Sequence, residues 1–132
     1  MINTVDTRDR STVERYLAAM QAGPGGLEEL VGLFEDDAVY VEPFTGQPQV
    51  HSGKEEIRAF FENALQQHLR DVQLTLDRLD MDSGRLRSEW TCELGTTRAL
   101  MRGFDLLTLR DGRIARLETT VTEFPPMPSG NA

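Results

Sequence analysis

The apolar residues of this 132-residue chain change their spacing partway along, and that change limits the folds open to it. In the first half they recur every three or four positions, and from Asp71 on they recur every two. Val13, Tyr16, Leu17 and Met20 form one helical stripe. Leu27, Leu30, Val31 and Phe34 form a second, and Ile57, Phe60, Phe61, Ala64 and His68 a third. The first stripe predicts a helix that starts near Asp9 or Ser11, after a frayed lead-in over residues 1–8. Gly23-Pro24-Gly25-Gly26 stops it, and a short second helix follows. Ser52-Gly53-Lys54-Glu55 reads as a capping box opening the third helix, with Ser52 at the N-cap and Glu55 reaching back.

One strand interrupts this helical half. Val39, Tyr40 and Val41 are strong strand formers, and alternation puts Ala38, Tyr40 and Glu42 on one face. Pro43 has no N–H for the ladder, so pairing should stop there, and Thr45 to Val50 reads as a loop. In the second half, Val72, Leu74 and Leu76 alternate with polar residues, as do Leu86, Ser88, Trp90, Cys92 and Leu94 after the turn Asp82-Ser83-Gly84. Gly95-Thr96-Thr97 turns again into a long strand from Arg98 to Leu109, with Ala99, Met101, Gly103, Asp105 and Leu107 on one side. Asp111-Gly112 is a strong hairpin signal before a last strand, Arg113 to Phe124. Residues 125–132 read as a loose Pro-rich tail. Helices gathered ahead of a meander predict an α+β domain: a curved antiparallel sheet with three N-terminal-half helices over one face. The length suits a single domain spanning 1–132.

Composition excludes several function classes. The formal net charge is −8, Lys54 is the only lysine, and the arginines are dispersed. That argues against nucleic acid and against an anionic membrane as partners. No apolar run approaches the roughly 18 residues of a membrane span. The segment Met1 to Arg10 lacks a signal-peptide core, and Cys92 has no cysteine to pair with; the expectation is a cytoplasmic protein. Two histidines and one cysteine give no ligand set for a metal. No phosphate loop or dinucleotide fingerprint is present, so no cofactor is expected.

Three side chains stand out. Glu42 is an acid at the end of an apolar strand, either a general base at a pocket mouth or a solvated strand end. Asp105 is an acid on an apolar strand face, which is costly unless it is used or paired. Its bland reading is an ion pair with Arg102 or another arginine, Arg102 being reachable only if a bulge at Gly103 brings the two to one face. Tyr16 lies on the core stripe of its helix, either catalytic or a buried tyrosine with a local partner. Tyr40, Phe61, Trp90 and Met101 are candidates for the wall of a substrate pocket or for plain core. Cys92 reads as an inert buried thiol.

From Thr12 to Phe124 the chain resembles the nuclear transport factor 2-like superfamily, in its SnoaL-like branch. The resemblance is carried by Phe34-Glu35-Asp36-Asp37-Ala38, Glu42-Pro43-Phe44, the helix from Ser52 to Leu65, Arg102-Gly103-Phe104-Asp105 and Asp111-Gly112-Arg113-Ile114. It implies a cone-shaped, cystatin-like α+β fold, an apolar pocket between sheet and helices, and a homodimer packed through the sheet. The site pattern is most similar to that of ketosteroid isomerase. Arg15-Tyr16 matches that family's first-helix tyrosine, Glu42 stands where its basic aspartate precedes Pro-Phe, and Asp105 matches its late-strand acid. Phe34 and Phe61 replace tyrosines that often support the first donor there.

The resemblance thus implies a cofactor-independent isomerase that moves a proton in a small hydrophobic carbonyl compound. Such chemistry needs a base beside the carbonyl and donors for the enolate oxygen. Glu42 would be the base, and Tyr16 and a protonated Asp105 the donors. Ketosteroid isomerase itself keeps a carboxylic acid neutral in this way. The alternatives are a non-catalytic domain that binds an apolar ligand or serves dimerisation, and a polyketide cyclase-like or dehydratase-like enzyme.

Overall fold

Two tight turns organise the strand-rich half. The computed structural model describes residues 5–95 and 97–125, and in it Ser83-Gly84 and Asp111-Gly112 both adopt positive φ, at 54°, 83°, 53° and 78°. Paired positive φ values match the right-handed twist of antiparallel strands, which is why a Gly-containing pair is found at each. They join β3 (Gln73–Asp82) to β4 (Arg85–Glu93) and β5 (Leu100–Arg110) to β6 (Arg113–Glu123). A longer turn links β4 to β5, and the four strands form an antiparallel meander.

The first half supplies the rest. Helix α1 (Thr7–Gln21) runs through a 3₁₀ turn at Gly23–Gly26 into α2 (Leu27–Gly32), and β1 (Phe34–Glu42), β2 (Gln49–Ser52) and α3 (Lys54–Ala64) follow. The six strands are ordered β2-β1-β6-β5-β4-β3. The pair β1–β6 is parallel, with Tyr40 opposite Leu117, so the sheet is mixed where a wholly antiparallel one was expected. The crossover from β1 to β6 carries α3 and the other strands, long enough for a parallel return. The helices cover one face. Between them and the sheet lie Val13, Leu30, Ile57, Leu65, Leu107, Ile114 and Leu117, each 1% exposed or less.

Several local expectations are corrected. Helix α1 begins at Thr7, where the Asp6 side chain accepts the Arg8 N–H at 2.7 Å, so the lead-in is not frayed up to residue 8. Phe34 opens β1 and does not belong to α2. The stretch Thr45 to Val50 is not all loop: β2 starts at Gln49 and pairs with β1. The capping box does not form. Gly53 is the N-cap of α3, at φ 90°, and Glu56 rather than Glu55 takes the Ser52 N–H at 2.8 Å. Helix α3 ends at Ala64, so His68 lies in the turns beyond it. Strand β5 begins at Leu100, because Arg98 adopts a left-handed φ of 60°. Most of the expected Pro-rich tail, residues 126–132, and the first four residues of the lead-in lie outside the described residues.

Gly103 sets how closely three strands approach. A Cβ there would press on the Thr120 carbonyl oxygen and stand 2.9 Å from Trp90 Cζ2. Gly103→Ala is therefore expected to destabilise the fold by about 1–3 kcal/mol through overpacking, read as a lower urea midpoint. An unchanged midpoint would mean that both Trp90 and the β6 backbone at Thr120 can give way.

Candidate active site

Alternation along β5 carries Asp105 into the interior, between Gly103 and Leu107 on the covered face. It is 3% exposed and, among the described residues, has no cation beside it. Arg102 faces the other way and donates to Glu123 Oε1 at 3.1 Å. A bulge does occur between Arg102 and Gly103, yet it does not reunite Arg102 with Asp105. Across the ladders, Asp105 faces Ser88 on β4 and Thr119 on β6. Thr119 Oγ1 donates to Asp105 Oδ1 at 2.7 Å, and the Trp90 indole nearby also favours the ionised carboxyl. Burial pushes the Asp105 carboxyl up to about 7, and Thr119 and Trp90 only partly oppose it.

Tyr16 reaches the same place from α1. It is 2% exposed and packs edge-on against Phe34 and Phe61. It shares the cavity wall with Tyr40 and Thr119. Burial holds both phenols well above their ordinary range, so both keep their protons at neutral pH. Tyr16, Tyr40, Trp90, Met101, Asp105 and Thr119 line one cavity, closed on its other sides by Leu17, Met20, Phe44, Leu69, Leu74 and Cys92. The void is about 20 Å³, room for about one water molecule. Burial raises the Cys92 thiol to about 11, which leaves it protonated and a poor nucleophile.

Glu42 is placed differently from the expectation. It shares Tyr40's face of β1 and is 2% exposed, which disposes of the solvated strand end. It is not in the wall of the cavity that Tyr16 and Asp105 share. Its Oε1 accepts the Phe44 N–H at 2.8 Å, and its Oε2 lies 2.9 Å from His51 Nε2. The His51 ring rests on Phe60 and Tyr40, with centroids 4.8 and 5.9 Å away. Phe61 also lies outside the cavity wall. It is fully buried and stacks on Tyr40 at 5.2 Å, so it props two site residues from behind.

Two polar residues of this region, His51 and Thr119, carry no signal in the sequence, and Ser88 shows there only as a polar residue on the apolar face of its strand. Ser88 Oγ, opposite Asp105, is buried without a partner. His51 shows no pattern in the sequence because β2 is only Gln49–Ser52 and mostly exposed. Thr119 was hidden by a register shift. The Asp111-Gly112 turn pairs Arg110 with Arg113, and unbroken pairing would set Glu118 opposite Asp105; the irregularity between Thr108 and Leu109 sets Thr119 there instead. Among the described residues no cluster of three or more His, Cys, Asp or Glu could hold a metal ion, and no helix is long and apolar enough to cross a membrane.

The state of Asp105 can be read from stability. Its folded pKa of about 7 exceeds the roughly 3.9 of an unfolded aspartate. The folded chain therefore binds the extra proton between these values, and stability should fall as pH rises through the window, by up to roughly 4 kcal/mol. Asp105→Asn should abolish that part of the decline in urea midpoints measured at either end of the window. Equal declines in both proteins would show that Asp105 ionises freely.

The same architecture is found in solved proteins of low sequence identity. A Kribbella flavida protein described as a "putative ketosteroid isomerase" superposes with a TM-score of 0.68 at 24% identity, over 93% of this chain and 84% of that one. A protein of unknown function with a cystatin-like fold from Methylobium petroleophilum gives 0.72 at 15% identity, over 99% and 85%. A de novo designed protein with a curved β-sheet gives 0.67 at 18% identity, over 89% and 88%. Residues 13–117 match the SnoaL-like domain, and the chain belongs to that family.

Proposed function

We propose that the protein is a cofactor-independent enzyme that moves a proton next to the carbonyl group of a small hydrophobic compound, as a ketosteroid-isomerase-like isomerase does. The observation that carries this reading is Asp105: a carboxyl that keeps its proton up to about pH 7, sharing with a protonated Tyr16 a cavity lined mostly by apolar residues. A substrate carbonyl oxygen in that cavity would accept from both groups. As a proton leaves the adjacent carbon, charge grows on that oxygen, and the two bonds strengthen at that moment. Glu42 is the base in this reading. Its side chain would turn from the Phe44 amide toward the cavity, past the Phe44 ring that forms part of the wall.

Size restricts the substrate. A void of about 20 Å³ takes no steroid as it stands. Met20 and Met101, unbranched and flexible, are the wall residues best able to yield to a small guest. The engaged carboxylate of Glu42 favours a second reading, in which the cavity binds a carbonyl compound without converting it.

A β,γ-unsaturated cyclohexenone separates the two. Turnover would appear as conjugated-enone absorbance, slowed about a hundred- to a thousandfold by Tyr16→Phe and by Asp105→Ala. The rate should also decline as pH rises through about 7, where Asp105 loses its proton. A change in Trp90 fluorescence with no enone formed would leave the binding reading. No effect of the ketone on either signal would remove both.

A further inference from the structure

We propose that His51 is the port through which Glu42 exchanges protons with bulk water. The inference rests on the reading of Glu42 as the base and adds to it the fate of the proton. Glu42 is sealed from solvent at 2% exposure, so a proton it takes can leave only through a neighbouring group. Its two oxygens have one partner each. The Phe44 amide donates and cannot accept a proton, so it steadies the carboxylate without relaying anything. His51 Nε2, 2.9 Å from Oε2, can do both, and its side chain is 22% exposed.

The other titratable groups around the pair do not compete for this role. Tyr40 and His68 feel the charge of Glu42 through space. Tyr40 is buried and holds its proton, and the His68 ring packs against Phe44 and Phe60. On α3, Glu56 is taken by the Ser52 N–H, and Phe60 offers His51 only its ring. Among the described residues, His51 is thus the group that both bonds the buried carboxylate and reaches water.

The step balances without any further reagent. The C–H bond beside the carbonyl breaks, its electron pair becomes the enolate double bond, and Glu42 takes the proton. Glu42 passes it to Nε2, and the resulting imidazolium exchanges that Nε2 proton with water as the partly exposed ring tilts off Oε2. The reverse path returns a solvent proton to Glu42 for delivery to the product carbon. A base wired to water in this way loses the substrate's own proton, whereas an isolated base hands the same proton back.

Two measurements test the port. The first needs no substrate: the Glu42 carboxyl carbon and the His51 ring are followed by NMR through a pH titration. A connected pair shows a shared inflection, and His51→Gln, which keeps an amide donor for Glu42, removes it from the Glu42 signal. Independent midpoints, or a Glu42 curve unaltered in His51→Gln, would overturn the proposal. If His51→Gln does not fold, Glu42→Gln must alter the His51 curve instead, and no alteration counts against the port. The second measurement follows the cyclohexenone in D₂O. The wild type should place solvent deuterium in the product, and His51→Gln should lower that uptake by roughly tenfold or more while enone formation falls less. Equal uptake in both overturns the port. Absence of turnover would sink the enzyme reading alone, since the titration still decides whether the pair is connected.

Discussion

A carboxyl group buried without a cation is the constraint around which the rest of this molecule is arranged. Asp105 sits in the middle of β5, flanked by strands that offer it two hydroxyls and an indole but no positive charge. Chain with the arginines of this one could have neutralised it, yet Arg85, Arg102 and Arg116 are spent on acids elsewhere. In an apolar setting the cheaper state is the neutral acid, and a neutral acid is a donor. Tyr16 and Tyr40 follow the same logic, since burial keeps their protons on as well. The cavity wall therefore presents donors to whatever oxygen enters it.

The fold makes this arrangement possible by keeping polar groups on a covered sheet face at the right places. Trp90 lies flat enough over Gly103 that even a methyl group there would meet it. Phe34, Phe61 and Tyr16 form an aromatic block that fixes the first donor from behind. Where the resemblance to ketosteroid isomerase leads one to expect tyrosines at Phe34 and Phe61, the phenol that shares the cavity wall with Tyr16 is instead Tyr40 on β1. Architecture by itself does not bring such chemistry, for a designed protein with a curved sheet shares the overall shape.

Much of this was legible in the sequence because it rests on local rules. Period-two alternation put Asp105, Trp90 and Met101 on one face, and Asp111-Gly112 announced its hairpin. What escaped depends on contacts between distant segments. Nothing local says that β1 will lie parallel to β6, and β2 is too short and too exposed to show a pattern. Single-residue bulges moved Thr119 opposite Asp105, and no composition rule predicts them. Glu42 illustrates a finer limit: alternation gave its face correctly, but the partner that claims its carboxylate, His51, could be found only once β2 was in place.

The central claim is that Asp105 keeps its proton far above the ordinary aspartate range, up to about pH 7. Infrared spectroscopy of the protein in D₂O reads this directly, because a protonated carboxyl has a C=O band distinct from that of a carboxylate. The account predicts one such band that persists just below about 7, disappears as the pH is raised through that value, and is missing in Asp105→Asn. A spectrum with every carboxylate already ionised well below that point would contradict it.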